Sequence, residues 1–166
     1  MTTIPFVNTK ITELKTSLSG NLSEVLFNDE LTELIHCPVS IEGDFIIPDT
    51  VRTIGIEAFA GCRALTSILI PSSVRTIGCY AFADCRELKA IYMQSNMPIK
   101  LKSDSGIFQH VDKALCTLYV PVGSKRAYHQ VEPWSEFENI FEITKFAETK
   151  FSDIEYLVQR KQYKIN

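Results

Sequence analysis

The chain has 166 residues, of which 45% are hydrophobic and 22% are charged, and its formal net charge is −3. This length suits one ordinary domain, and the acidic balance argues against the basic patch of a nucleic-acid-binding surface. No apolar run approaches the roughly 18 residues that indicate a membrane span. We therefore expect a globular domain without a nucleic-acid partner or a membrane span.

The first 26 residues match nothing later in the chain. They lack the basic region and continuous apolar stretch of a secretory signal. A literal reading therefore predicts a cytoplasmic protein, and a secreted or cell-surface protein with its signal removed is the alternative. Five apolar residues keep an approximate helical period: Ile11, Leu14, Leu18, Leu22 and Val25. We interpret residues 1–26 as an N-terminal cap or as a segment that contacts a partner.

The centre of the chain contains a direct repeat. Residues 47–69, IPDTVRTIGIEAFAGCRALTSIL, and residues 70–92, IPSSVRTIGCYAFADCRELKAIY, agree at 14 of 23 positions. The end of each copy alternates in polarity, so Ile68 and Ile70 fall on one face, and this alternation predicts a short strand with one buried side. The preceding apolar residues recur at spacings of three and four: Val51, Ile54, Ala58, Phe59 and Cys62. They predict a short helical or 3₁₀ segment on the opposite side.

Such a repeat predicts a solenoid, because one turn cannot bury its own apolar face whereas stacked turns can. The strands would form a parallel ladder with a spacing of about 4.8 Å. Phe59 would then lie over Phe82, and Ile54 over Ile77. Weaker turns flank the clear pair, upstream at two prolines, Pro38 and Pro48, and downstream where Phe108 takes the place of Phe82. We predict a solenoid of mixed α/β or mostly β repeats, with a concave parallel ladder and convex helical segments.

The repeat IPxxVRTIGxxAFxxCxxLxxI, followed by LYVPVGSKRAYHQVEPWSEFENI, resembles the BspA-like leucine-rich repeat family. The resemblance covers residues 27–143, and in that family the segment at Val120–Ile140 is the C-terminal cap. It implies a leucine-rich-repeat solenoid with non-repeat terminal caps. Its members are commonly secreted or surface proteins of bacteria, often tied to adhesion or protein binding. The resemblance therefore implies a protein partner.

The end of the chain requires two separate predictions. Trp134, Phe137 and Ile140, which follow Tyr128, are expected to cover the exposed edge of the core. Residues 144–166 lie beyond the resemblance, and four apolar residues recur there at helical spacing: Phe151, Ile154, Leu157 and Val158. Asp153 in the first turn and Arg160 and Lys161 in the last suit the helix dipole. We predict a helical extension that caps the repeats or engages a partner.

Catalytic and cofactor motifs are absent from the sequence. There is no GxSxG, HExxH, CxxC or glycine-rich phosphate loop, and the three histidines lie far apart in the chain. Cys62 and Cys85 are one repeat apart, and we interpret them as two small buried apolar groups. The alternative is a disulfide, because residues in a stacked ladder lie close enough for one. We predict no enzyme, no cofactor and no metal site.

The outward positions of the strands predict the binding surface, since solenoids commonly bind on the concave strand face. One column of outward residues is apolar and aromatic: Ile46, Leu69, Tyr92 and Tyr119. The neighbouring column is small or polar: Asp44, Ser67, Ala90 and Thr117. Exposed apolar surface often marks an interaction site. We predict that a protein partner contacts the first column together with Ser67 and Thr117.

The outward column and the ends of the array also allow other interpretations. A terminal segment could fold across the same face, which would explain the column by packing alone. The chain could also self-associate through an uncapped end of the array.

As a binding module, it would be an adhesin-like domain if secreted or displayed on a cell surface. Inside the cell, it would be an inhibitor or immunity protein.

Overall fold

The computed structural model describes residues 25–102 and 104–143. The predicted N-terminal segment before Val25 and the predicted C-terminal extension, residues 144–166, lie outside the described residues. The predicted division of the chain into repeat region and ends stays a prediction.

The regular secondary structure of the described residues is mainly short strands joined by turns. In chain order these are β1 (Leu26–Phe27), β2 (Glu33–His36), β3 (Glu42–Ile46), β4 (Thr53–Ile54), β5 (Ala64–Ile70), β6 (Thr76–Ile77), β7 (Ala90–Met93), β8 (Thr117–Pro121) and β9 (Asn139–Ile143). One α-helix, α1 (Lys125–His129), and one 3₁₀ turn, Trp134–Glu136, separate β8 from β9.

The strands form two sheets on the two sides of each coil. Five strands pair in parallel in the order β3-β5-β7-β8-β9, so each turn adds one strand to the same ladder. The smaller sheet has the order β1-β2-β4-β6 and is parallel except for its first pair. Ile54 pairs with Ile77 in this sheet. The predicted leucine-rich-repeat solenoid is confirmed.

The convex side differs from the prediction of short helices. Between β4 and β5, and between β6 and β7, the chain follows successive turns, and Glu57, Tyr80 and Asp84 have φ near +60°. These left-handed residues prevent a helix from continuing. Backbone N–H groups instead bond to the next coil, as from Phe59 to the carbonyl of Ala81 at 2.7 Å. The spacing of three and four therefore comes from turns that face the core.

Close contact between successive coils explains one repeated glycine. A Cβ atom added to Gly78 would lie 2.5 Å from the backbone nitrogen of Ile56. Its partner in the first copy, Gly55, would place a Cβ 3.1 Å from the carbonyl oxygen of Leu34. The repeated IG step is therefore needed where backbone packs on backbone.

A column of phenylalanines fills the interior. The ring centroids of Phe59 and Phe82 lie 5.2 Å apart, and those of Phe82 and Phe108 lie 5.6 Å apart, with nearly parallel planes. The predicted stacking of these residues is confirmed. Phe45 closes the column at one end, and Trp134 at the other, each with an edge-to-face contact. All repeats thus share a single core.

The segment at Val120–Ile140 covers the C-terminal edge of that core, as expected. Trp134 and Tyr128 are fully buried. The indole N–H of Trp134 donates to the carbonyl of Ile99 at 2.8 Å, and the hydroxyl of Tyr128 donates to that of Ser95 at 2.8 Å. These bonds give hydrogen-bond partners to the indole N–H and the phenol O–H, which burial removes from water. The following strand, β9, was not predicted.

Candidate functional site: the outward face of the five-stranded sheet

The predicted outward column is in register. Ile46 pairs with Leu69, Leu69 with Tyr92, and Tyr92 with Tyr119. The rings of Tyr92 and Tyr119 are stacked, with centroids 4.7 Å apart and planes 7° apart. Tyr119 pairs in turn with Phe141 on β9, which continues the column by one residue. The repeat therefore produces a second stacked column, separated from the inner core by the sheet itself.

Exposure changes steeply along this column. Leu69 is 1% exposed and Tyr92 is 9% exposed, whereas Phe141 is 54% exposed. Ile46 and Tyr119 are partly buried. The expectation of an accessible surface along the whole column is therefore not met at Leu69 and Tyr92. The partner-binding role of the predicted residues stays a prediction, and accessible aromatic surface lies toward β9.

The neighbouring column is also in register, with Asp44, Ser67, Ala90 and Thr117 on successive strands. The buried hydroxyl of Ser67 donates to a carboxylate oxygen of Asp44 at 2.6 Å. This bond stabilises the pairing of β3 with β5, because it satisfies a buried hydroxyl with a charged acceptor. Ser67 is thus engaged within the sheet, while Thr117 remains partly exposed.

Phe141 is the residue of this face that the sequence did not predict. Its ring centroid lies 6.4 Å from that of Tyr119 and 5.9 Å from the ammonium nitrogen of Lys125. The side chain of Glu142 accepts hydrogen bonds from the backbone N–H groups of Gly123 and Lys125, at 3.0 and 3.1 Å. These bonds attach the start of α1 to β9. The edge of the face therefore combines two aromatic rings and a cation.

The hydroxyl of the nearly buried Tyr92 is held in its neutral form. Burial raises the pKa of its hydroxyl above the usual value, and the nearby Tyr119 and Asp44 act in the same direction. Tyr92 therefore stays neutral at physiological pH.

The cysteines lie in the core, away from this face. All five thiols are free, so Cys62 and Cys85 form no disulfide. Burial raises the pKa of Cys85 and of Cys116 to about 12 in each case. The Cys85 thiol lies 3.2 Å from the carbonyl oxygen of Phe59. These buried thiols are protonated at neutral pH and pack as small apolar groups.

One charged cluster lies on the turns. Asp84 accepts from Arg86 at 2.9 Å and contacts the ring of His110 at 3.0 Å, and both partners lower the pKa of its carboxyl, Arg86 most. Over residues 25–102 and 104–143, no group of three or more His, Cys, Asp or Glu side chains could hold a metal ion. No helix in these ranges is long and apolar enough to cross a membrane.

Comparison with known families agrees with this geometry. The family model described as a BspA type leucine rich repeat region matches residues 36–114, in six copies. The chain carries a BspA-type leucine-rich repeat region. The match includes β3, β5 and β7, which hold four of the predicted contact residues, and it ends before β8.

Two solved structures are similar to this chain. The first, a leucine-rich repeat protein from Eubacterium ventriosum ATCC 27560, is 24% identical, with a TM-score of 0.36, over 58% of this chain and 31% of that chain. The second, the pneumococcal vaccine antigen PcpA, is 12% identical, with a TM-score of 0.30, over 72% of this chain and 46% of that chain. The chain thus spans less than half of either structure. A search of the curated proteins found no match.

Proposed function

We propose that this protein is a non-catalytic protein-binding module whose contact surface is the outward face of the five-stranded sheet. The observation that carries the proposal is the stacked aromatic column that runs along this face and opens to solvent at Phe141. Solenoids of this class present continuous sheet surfaces for binding. Aromatic side chains are enriched at protein interfaces.

The accessible end of the column defines the centre of the proposed contact. Tyr119 and Phe141 present two rings on neighbouring strands, and Lys125 lies beside the second ring. Tyrosine and phenylalanine supply a large contact area at low entropic cost, because few torsions must be fixed on binding. A partner with an apolar residue flanked by a carboxylate would match both the rings and the cation.

The test is affinity capture from the native cell, comparing the wild-type chain with the variant Tyr119→Ala/Phe141→Ala. We expect the affinity of the variant for the partner to fall at least about tenfold, because truncating an aromatic hot spot at the centre of an interface costs about 2 kcal/mol or more. Identification of the captured protein by mass spectrometry would also establish the compartment. A secreted or cell-surface partner favours the adhesin-like role, and a cytoplasmic one favours the inhibitor or immunity role.

The matched control is Val39→Ala/Ile56→Ala. Both residues are exposed apolar side chains, and neither belongs to the five-stranded sheet. This control should capture the partner as the wild type does. Equal capture by the Tyr119→Ala/Phe141→Ala variant, with both proteins folded by circular dichroism, would contradict the proposed surface.

A further inference from the structure

The five-stranded sheet has two edge strands, and they differ in how well they could accept a further strand. β3 forms the edge at the start of the ladder and β9 the edge at its end. Over residues 25–102 and 104–143, β3 pairs with β5 alone and β9 with β8 alone. An edge strand can pair with another chain through its backbone N–H and C=O groups unless its sequence or geometry protects it.

The edge strand β3 is protected. Its pairing with β5 shifts register between Gly43 and Asp44, and Gly43 has φ +76°. Irregularities of this kind interrupt the pairing of an edge with a further strand. Two of the five residues of β3, Glu42 and Asp44, are acidic, so pairing with a second β3 would bring like charges together. β3 is therefore a poor template for another chain.

The edge strand β9 is regular. Its five residues pair with β8 in continuous register, and none of them has positive φ. Its sequence, NIFEI, contains no proline, glycine or lysine. The one charged side chain, that of Glu142, already accepts hydrogen bonds from the backbone N–H groups of Gly123 and Lys125. β9 thus lacks the devices that protect β3.

The sequence of β9 is also complementary to itself. Phe141 is the middle residue of the strand. In an antiparallel pair of β9 strands related by a twofold axis, it would therefore face Phe141 of the second copy. Asn139 would face Ile143, and Ile140 would face Glu142, so no two like charges would stand opposite each other. The two Phe141 side chains, each 54% exposed in the single chain, would then cover each other.

We propose that two copies of this protein associate through an antiparallel pair of β9 strands, which joins their five-stranded sheets into one sheet of ten strands. The outward aromatic column then continues across the twofold axis from Tyr119 and Phe141 of one copy to the same residues of the other. A contact confined to one edge of five residues is smaller than the roughly 1,000 Å² of a stable interface. The dimer should therefore be weak and dissociate on dilution.

Dimerisation would regulate the surface that we propose for the partner. Phe141 is the exposed end of that surface, and in the dimer it is covered by the second copy. A partner that contacts Phe141 and a second copy of the chain therefore exclude each other. This competition rests on the proposed function, whereas the dimer does not.

The experiment is sedimentation equilibrium of the full chain at concentrations from about 10 μM to about 1 mM, a range that detects weak association. The average mass of the wild type should rise with concentration from the 18.8 kDa of one chain toward twice that value. Phe141→Lys should keep the mass of one chain throughout, because two like charges would stand opposite each other in the dimer. Phe141→Glu should also keep it, for the same reason.

A mixture of these two variants tests the register of the pair. Because residue 141 faces itself across the twofold axis, an equimolar mixture of Phe141→Lys and Phe141→Glu places opposite charges together. The mixture should therefore recover the dimer that neither variant forms alone. Absence of recovery, with both variants folded by circular dichroism, would overturn the proposed pairing.

The matched control is Glu42→Lys, which adds a lysine to the other edge of the sheet, on β3. It should associate as the wild type does. Loss of association in both Glu42→Lys and Phe141→Lys would indicate head-to-tail pairing of β9 with β3, which produces filaments rather than a closed dimer, and would overturn the proposal. A wild type with the mass of one chain at every concentration would overturn it as well.

These measurements need no binding partner, so failure of the dimer and failure of the proposed function are distinguishable. If both proposals hold, the wild type should capture a smaller fraction of its partner at the concentrations where it is dimeric. A wild-type dimer that captures the same fraction at every concentration would retain the β9 pairing and contradict the proposed binding surface.

Discussion

The protein contains two aromatic columns that the same repeat produces on opposite sides of one sheet. The inner column, Phe59–Phe82–Phe108, has edge-to-face contacts at both ends and no access to water. The outer column stacks as closely, with Tyr92 and Tyr119 at 4.7 Å, but it ends at the half-exposed Phe141. Stacking alone therefore does not distinguish a stabilising column from a binding column. The two columns differ in whether other side chains cover their ends.

Truncation at the centre of the inner column should have the largest effect. Phe82→Ala removes two stacked contacts and leaves a cavity inside a closed core, so we expect a loss of about 3–5 kcal/mol in the free energy of unfolding. Urea denaturation followed by circular dichroism measures it. Ile56→Ala, at an exposed position, is the control and should cost no more than about 0.5 kcal/mol. Similar losses in the two variants would show that the column is not the centre of stability.

Alkaline pH should weaken the inner core next. The folded state raises the pKa of Cys85 and of Cys116 to about 12 each, whereas an unfolded thiol ionises near 8.5–9. Below about pH 8.5 the thiols are protonated in both states, so their contribution to the free energy of unfolding is complete. As the pH rises toward 12, the thiols ionise only in the unfolded state, and the free energy of unfolding falls by about 1.4 kcal/mol per pH unit for each thiol. Urea denaturation at pH 8, 9 and 10 measures this slope.

The variant Cys85→Ala isolates one of these thiols. It should be less stable than the wild type at pH 8, because it leaves a small cavity. Its stability should nevertheless fall less steeply between pH 9 and 10, since one ionising thiol is gone. Equal slopes in variant and wild type would mean that thiolate formation does not drive the alkaline loss.

The sequence predicted the ladder well because a constant period constrains the register. A 23-residue repeat must place Leu69 beside Tyr92, and the pairing is as expected. The convex side was predicted less well, because apolar residues at spacings of three and four fit a helix and a series of inward-facing turns equally. Positive φ at Glu57 and Tyr80 decided in favour of turns, and neither residue type signals that conformation.

Two features of the site could not be obtained from the repeat. Phe141 follows Tyr119 by 22 residues, and the intervening cap with α1 and the 3₁₀ turn hides the relation between their strands. The near-complete burial of Leu69 depends on all the surroundings of its side chain, whereas the repeat encodes only its neighbours along the ladder. Both features belong to the end of the array, where the period no longer applies.

The smallest effect on stability is expected at the open end of the outer column. Phe141→Ala should lower the free energy of unfolding by about 0.5 kcal/mol, because the ring is half exposed and makes only a tilted contact with Tyr119, and exposed aromatic pairs contribute little more. Urea denaturation beside Phe82→Ala measures the difference directly. If covered ends are what make the inner column stabilising, Phe82→Ala should lower the free energy of unfolding several times more than Phe141→Ala does. A loss above about 2 kcal/mol at Phe141 would mean that the outer column is closed as well, and the proposed contact would then have to lie elsewhere on the solenoid.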